Sequence, residues 1–367
     1  MRVDGLELSG FRNYGEQAFA FDPRCNVIYG ENAQGKTNLL EALICLSTGR
    51  SPRARSDRDM IGFSRDSARL KALVHARDRE FQLETVLQRG RTKKTTVNGV
   101  RVTGGARSSG VLHTVYFCPE DLFLIRDGAA ARRKFMDGAL CQLRPRYAEA
   151  LAKYQKALDS KTRILRDSEE KPDLLEALPE FNEQLSICGA ALIHYRARFV
   201  SRLSEYAAAN HLECSGGRER LSLQYETVKT VADAFASQEV LQEQLREHQR
   251  EHDRAERSCR SCLSGPHKDD IAVFIGEVEA RSYASQGQAR TAALSMKLAE
   301  REIYKNVIGE YPILLLDDVL SELDPRRQEF VLNRIGGGQV FITCCEDDRL
   351  EELLSGKVFP IQNGRLL

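Results

Sequence analysis

Eight consecutive residues, Gly30-Glu31-Asn32-Ala33-Gln34-Gly35-Lys36-Thr37, follow the pattern G-x-x-x-x-G-K-[ST]. Each fixed position has a mechanical task. The glycines let the backbone turn until its N–H groups converge on phosphate oxygens. The lysine adds a point charge for the outer phosphates, and the threonine hydroxyl can hold Mg²⁺. The flanks agree with this reading. Asn26-Val27-Ile28-Tyr29 is a short buried-strand run, and Leu39, Leu40, Leu43 and Leu46 follow at helical spacing. The loop therefore joins a strand to a helix whose N-terminus aims at the anion. Gly30, Asn32, Ala33, Gly35, Lys36, Thr37 and Asn38 are the expected nucleotide contacts.

A second acidic element lies near the other end of the chain. The apolar run Ile313-Leu314-Leu315-Leu316 leads straight into Asp317-Asp318. An acid at the C-terminal edge of such a strand is where a protein with this loop holds Mg²⁺, so Asp317 is assigned to the metal with Thr37. Asp318 is the candidate catalytic group, placed to orient or deprotonate an attacking water. Ser285-Gln286-Gly287-Gln288 precedes a helical stretch. It is either an ordinary helix cap or a second phosphate contact, because a hydroxyl and bare N–H groups suit both. Ser321-Glu322-Leu323-Asp324-Pro325 is a turn in which Pro opens the next helix.

These groups need elements to position them. Val3 to Leu8, Phe19 to Phe21 and Asn26 to Tyr29 look like strands, and the chain from Leu70 to Val102 alternates repeatedly, with Asn98-Gly99 closing a type I′ hairpin. An antiparallel β subdomain is therefore expected near 68–117, with a loop at 104–110. From about Arg132 to Asn210, and again from Val231 to Arg257, the pattern is helical and highly charged. Continuous apolar strands return at Pro312 to Leu316 and Gln339 to Thr343, as in a buried parallel sheet. The fold class is α/β. The nucleotide domain is discontinuous, 1–140 with 263–367, and 141–262 is an inserted, mainly helical lobe.

Bulk composition narrows the classes further. The 54 basic and 53 acidic side chains leave a formal charge of +1, so a nucleic-acid partner would have to meet local basic patches. No apolar run approaches a membrane span, and Met1-Arg2-Val3-Asp4 does not open a signal peptide, which predicts a cytoplasmic protein with reduced thiols and no membrane partner.

The order of motifs, a phosphate loop, S-x-G-Q before a helix, an apolar strand with paired acids, then S-x-L-D, resembles the ABC-type ATPases in the branch shared with SMC-like DNA-repair proteins. Further blocks narrow the resemblance to the bacterial RecF family: Leu8-Ser9-Gly10-Phe11-Arg12-Asn13-Tyr14, Gly49-Arg50-Ser51, Cys118-Pro119-Glu120-Asp121-Leu122, Arg132 to Asp137, Gly265 to Asp270 and Ser285 to Thr291. They run in the expected order along nearly the whole chain. The resemblance implies an ABC-type ATPase lobe with a mixed sheet that binds ATP and Mg²⁺. It implies an ATP-dependent homodimer in which Ser285, Gly287 and Gln288 touch the γ-phosphate in trans and Asp324 lies at the seam. It also implies binding to double-stranded DNA and gapped DNA junctions, and action with RecR and RecO to help RecA load at single-strand gaps.

Two departures from the ABC pattern point to slow hydrolysis. ABC enzymes usually carry Glu where this chain has Asp318, a side chain shorter by about 1.5 Å. They also usually carry a switch His after the next strand, where this chain reads Phe341-Ile342-Thr343-Cys344-Cys345 and Thr343 is the stand-in. The expected output is therefore a weak DNA-dependent ATPase whose ATP binding gates DNA binding. An SMC-like structural clamp and a transporter ATPase subunit are the rival readings.

Two basic clusters compete for DNA. Arg89, Arg91, Lys93 and Lys94 decorate the hairpin, and Arg50, Arg53, Arg55 and Arg58 follow the first helix. Phosphate contact is one reading; the other is edge-strand protection for the hairpin and a dimer-interface or nucleotide role for Arg50 to Arg58. His248, His252, Cys259 and Cys262 combine H-x₃-H with C-x₂-C, but the order is not that of a standard zinc finger. A strand over 258–264 would point the two cysteines to opposite faces, so ordinary thiols are expected. His267 is either a ligand or a hydrogen-bonded structural histidine.

Overall fold

The computed structural model describes residues 1–102, 110–263, 265–345 and 356–367. The loop expected at 104–110 falls, apart from Gly110, outside the described residues. The chain divides into two compact units: Met1–Leu122 with Lys297–Leu367, and Phe123–Met296. The first unit opens with β1 (Arg2–Phe11), β2 (Tyr14–Ala20), β3 (Cys25–Tyr29), α1 (Lys36–Thr48), β4 (Ser67–Ala76), β5 (Arg79–Gln88), β6 (Lys94–Val97), β7 (Val100–Val102) and β8 (Thr114–Phe117). The second contains α2 (Ala129–Leu143), α3 (Pro145–Asp167), α4 (Leu178–Cys214), β9 (Leu221–Glu226), α5 (Gln238–Cys259), β10 (Asp270–Ile275), β11 (Val278–Glu279) and α6 (Ala280–Tyr283). Helix α7 (Gln286–Ile308) carries the chain back to the first unit, which ends with β12 (Ile313–Asp317), α8 (Pro325–Arg334), β13 (Val340–Cys344), β14 (Lys357–Gln362) and β15 (Arg365–Leu366).

The first unit has two six-stranded sheets. One is antiparallel, in the order β2-β1-β4-β5-β6-β7. The other runs β15-β14-β3-β13-β12-β8 and is parallel except for the short β15. The β subdomain expected near 68–117 is corrected at both ends. It recruits β1 and β2, and Thr114–Phe117 leaves it to pair in parallel with β12, with Leu315 opposite Tyr116. The Asn98-Gly99 turn is as expected, with φ of +49° and +78° at its two centre residues, as a type I′ hairpin requires.

Helix α1 buries ten of its thirteen residues. A helix buried on nearly every side has no solvent face to offer, so it lies inside the unit, with the buried charges of Lys36 and Glu41 hydrogen-bonded there. Leu39, Leu40, Leu43 and Leu46 pack in one core with Leu6, Leu70 and Leu83 of the antiparallel sheet and Ile28, Leu315 and Phe341 of the parallel one. Phe21 meets Phe341 edge to face at 4.7 Å and Phe359 at 5.4 Å. This core fixes the strand ends around the phosphate loop.

The second unit is not purely helical: β9, β10 and β11 form an antiparallel sheet within it. That sheet explains why its boundaries differ from the expected 141–262. Residues 270–275 are strand-paired to 221–226, so 265–296 stays with the insert. On the other side, Arg132 of α2 donates to both carboxylate oxygens of Asp270 at 2.6 and 2.8 Å. Buried Arg196 of α4 bridges Asp137 and Asp269, each at 2.8 Å. These charge-assisted bonds hold 123–140 in the second unit as well. Among the described residues no helix is long and apolar enough to cross a membrane.

Candidate functional site

The phosphate loop leaves β3 and enters α1. Gly30 and Gly35 adopt φ of +150° and +120°, and Ala33 is left-handed at +65°. A side chain at Gly30 would collide with the Ile361 carbonyl, and a Cβ at Gly35 would lie 2.7 Å from the Asn13 amide. Gly30 is therefore required by backbone angle and by space, and Gly35 by backbone angle. Lys36 is 3% exposed, and its ammonium donates to the Gly30 carbonyl at 2.6 Å and the Glu31 carbonyl at 3.1 Å. It also donates to Sγ of Cys345 at 3.2 Å, whose thiol reaches Oδ1 of Asn32 at 3.0 Å.

Strand order brings the acids to the loop. Strand β13 lies between β3 and β12, so the C-terminal ends of all three meet at one edge, where ligands of parallel sheets bind. The Thr37 hydroxyl donates to Oδ1 of Asp317 at 2.9 Å. Thr343, paired with Asp317 in the register of β12 and β13, has its oxygen 3.0 Å from Asp317 Oδ1 and 3.2 Å from Asp318 Oδ1. A hydroxyl has one proton to share between them, and it also accepts the Asp318 N–H at 2.8 Å. Asp318 takes the left-handed conformation at φ +51°, which Asp tolerates better than most residues. Burial pushes its carboxyl above the ordinary range; the Lys36 charge opposes that shift and neighbouring Asp317 adds to it.

Several contributors were not legible in the sequence. The Tyr116 hydroxyl donates to Oδ2 of Asp317 at 2.7 Å. Burial first, and then the Asp317 charge, hold this phenol far above its ordinary pKa, so it stays a donor. Asn13 donates to the Gln34 carbonyl at 2.9 Å and Tyr14 to the Gly35 carbonyl at 3.0 Å, bracing the loop from outside. The Asn38 amide is engaged at both ends, donating to Asn13 and accepting from Arg53 at 2.6 Å. Beneath the loop helix, Glu41 is 1% exposed and receives Arg12 at 2.6 and 2.8 Å, Arg53 at 3.0 Å, and the Ser51 hydroxyl. The block from Leu8 to Tyr14 hinted at Arg12, Asn13 and Tyr14, and Gly49-Arg50-Ser51 at Ser51, while Asn38 and Arg53 were expected to meet phosphate rather than each other and Glu41.

The remaining expected residues separate. Ser285 and Gln288 form a reciprocal capping box at the start of α7. The Gln288 N–H reaches Ser285 Oγ at 3.2 Å, and the Ser285 N–H reaches Gln288 Oε1 at 2.8 Å. Gln288 also donates to Glu219 at 2.9 Å, and the Gly287 carbonyl accepts from Thr291 at 2.9 Å. Asp324 caps α8, accepting from the Arg327 N–H at 3.1 Å and pairing with the Arg327 guanidinium. In the hairpin cluster, Lys93 turns inward to the Gly49 carbonyl at 2.5 Å and to Asp57 at 3.1 Å, while Arg89, Arg91 and Lys94 are exposed. The Arg50 to Arg58 cluster divides too, since Arg53 points to Glu41. His267 takes a hydrogen bond from or to Tyr154 at 2.9 Å, and burial lowers it to about 4, so it is a neutral structural group. Of the strand considered over 258–264, the described residues 258–263 form none: α5 runs to Cys259 and Arg260 ends it in the left-handed region.

The RecF/RecN/SMC N terminal domain model matches residues 2–363. A DNA replication and repair protein RecF of Agathobacter rectalis is 38% identical over 368 residues, covering 100% of this chain and 99% of that protein. Its counterpart in Bacillus subtilis is 36% identical over 372 residues, with both chains covered completely. A solved structure of the recombination mediator protein RecF with ATP, in the RecFOR pathway, superposes with a TM-score of 0.91 at 32% identity, covering 100% of this chain and 96% of that one.

Proposed function

The chain belongs to the RecF family of DNA replication and repair proteins, and from that premise we propose that it is an ATP-gated DNA-binding protein of recombinational repair and replication restart. The observation that carries the reading is the convergence of a buried Lys36, the Thr37–Asp317 pair and Asp318 on one loop of phosphate-binding shape. The RecF structure on which this chain superposes is one with ATP, which supports the choice of nucleotide.

The donor set fits Mg²⁺ as well. Thr37 Oγ1 and Asp317 Oδ1 are hard oxygens 2.9 Å apart. That equals the edge of an octahedron with metal–oxygen distances of about 2.1 Å. When bound, Mg²⁺ would supply charge stabilisation at the terminal phosphate oxygens. Lys36 binds the same phosphates and is already held by the loop. Tyr116 and Thr343 fix the two Asp317 oxygens. Asp318 orients the attacking water and takes up its proton, a task suited to a carboxyl whose pKa is raised. Its short side chain, held by Thr343, keeps turnover slow, so nucleotide binding is the working signal.

In this reading ATP closes a homodimer through Ser285, Gly287 and Gln288 of one subunit and the loop of the other, with Asp324 at the seam. The dimer binds double-stranded and gapped DNA and acts with RecR and RecO to promote RecA loading. Exposed Arg89, Arg91 and Lys94 are the candidate phosphate contacts. Fluorescence anisotropy with duplex, single-stranded and gapped DNA, each with and without ATP and Mg²⁺, tests the proposal. Tighter binding with ATP to duplex or gapped DNA is expected. DNA affinity that ignores ATP, or that survives unchanged in Lys36→Ala, would sink it.

A further inference from the structure

Helix α5 carries His248-Gln249-Arg250-Glu251-His252. Residues three and four apart share a helix face, so His248, Glu251 and His252 project together. Their ligand atoms lie within 4.8 Å of one another, and the two imidazole centroids are 4.1 Å apart. Cys259 and Cys262, the thiols that a sequence reading adds to these histidines, are not members of this group.

A second observation bears on chemistry. Nδ1 of His252 lies 2.8 Å from the His248 carbonyl oxygen. A carbonyl only accepts, so Nδ1 carries the proton, and a neutral His252 keeps its lone pair on Nε2. An Nδ1–H bond to a backbone carbonyl is the arrangement by which metal-binding histidines fix their tautomer. His248 is 6% exposed. The three residues line one wall of a cavity of about 540 Å³. Asp269 and Asp270 of its lining are already paired with Arg196 and Arg132, so the acids left to face a cation are Glu226 and Glu251.

We propose that His248, Glu251 and His252 form a Zn²⁺ site on α5, with the fourth coordination position open to this cavity. Two imidazoles and one carboxylate are a borderline-soft donor set that suits Zn²⁺ over Mg²⁺ or Ca²⁺. Metal–ligand distances of about 2.0–2.1 Å require donor atoms roughly 3.3 Å apart in a tetrahedron. Rotation of exposed Glu251, with small shifts of the imidazoles that keep the His252 Nδ1–H bond, supplies the remaining closure.

The test uses the full chain, stripped with a chelator and kept free of nucleotide. Zn²⁺ is titrated in competition with a chromophoric chelator, and Co²⁺ is added separately to read its visible ligand-field bands. Wild type should bind one Zn²⁺ that His252→Ala and Glu251→Gln each weaken by more than the tenfold to hundredfold or so that supporting groups are worth. Both variants should also lose the Co²⁺ bands. Glu251 is exposed, so Glu251→Gln keeps the test valid if His252→Ala misfolds, with far-ultraviolet circular dichroism as the check. Cys262→Ser and Asp317→Asn should bind like wild type. A wild type that binds no Zn²⁺ more tightly than the two ligand variants overturns the assignment. So does a site lost with Cys262→Ser or Asp317→Asn, which would place the metal on the thiols or in the nucleotide loop.

Discussion

The Thr37 hydroxyl donates a 2.9 Å hydrogen bond to Oδ1 of Asp317, joining residues 280 positions apart. Thr37 sits in the first turn of α1 and Asp317 ends β12, so the bond ties the phosphate loop to the acidic strand edge. If this pair holds the metal, Thr37→Ala should bind ATP more weakly in Mg²⁺ yet show nearly the same affinity as wild type in a chelator. Titration with a fluorescent ATP analogue under both conditions reads the difference. Equal loss in both would assign the hydroxyl to the loop rather than the metal.

Lys36→Ala should lose more. A charge-assisted bond to phosphate contributes about 1.5–3 kcal/mol, or roughly tenfold to more than a hundredfold in affinity. The same titration checks it, and wild-type affinity would remove the central assignment.

Asp318→Asn should leave ATP affinity within a few-fold of wild type while slowing hydrolysis by about a hundredfold or more, the usual worth of a positioned proton acceptor. Single-turnover hydrolysis measures it. The altered carboxyl should also prolong any ATP-bound dimer seen by sedimentation. A variant that hydrolyses ATP at the wild-type rate would release Asp318 from its role.

Ser285→Arg combines two effects that must be separated. It removes the cap bond from the Gln288 N–H, which costs about 1 kcal/mol. It also puts bulk and charge where a second subunit's γ-phosphate is proposed to sit. Ser285→Asn keeps a capping side chain and serves as the control for folding. Sedimentation velocity with ATP should show a wild-type dimer and a Ser285→Arg monomer that still binds ATP. A Ser285→Arg protein that dimerises normally would reduce the segment to a helix cap.

Glu41 predicts a pH dependence. Burial raises its carboxyl, but the bonds from Arg12 and Ser51 and the charges of Arg53 and Arg12 outweigh burial and leave it below the ordinary value. A folded-state pKa below the unfolded one, about 4.3, gives stability that is present above that pH and lost as pH falls through the folded value. Glu41→Gln should therefore cost about 1.5–3 kcal/mol at pH 7. The gap to wild type should hold down to about pH 4.3 and narrow as urea unfolding is carried further below it. A gap that is constant with pH would mean that packing, not charge, is what Glu41 supplies.

The phosphate loop, the Asn98-Gly99 hairpin, the α7 cap and the paired acids at the end of β12 were all legible in the sequence. Each is a contiguous segment whose geometry follows from local backbone preference and spacing. The same reasoning placed the α/β class, because apolar runs near both ends of the chain had to share a sheet. The partners of those segments were decided by tertiary structure alone. Strand order β3-β13-β12-β8 puts Thr37, Thr343 and Tyr116 on Asp317, and no spacing along the chain encodes which strands become neighbours. The inward turn of Lys93, the Arg12 and Arg53 clasp on Glu41, and the capture of 123–140 and 265–296 by the second unit have the same origin. Long-range pairing is selected by which apolar faces and buried charges satisfy one another. That is a property of the packed molecule, not of any window of its sequence.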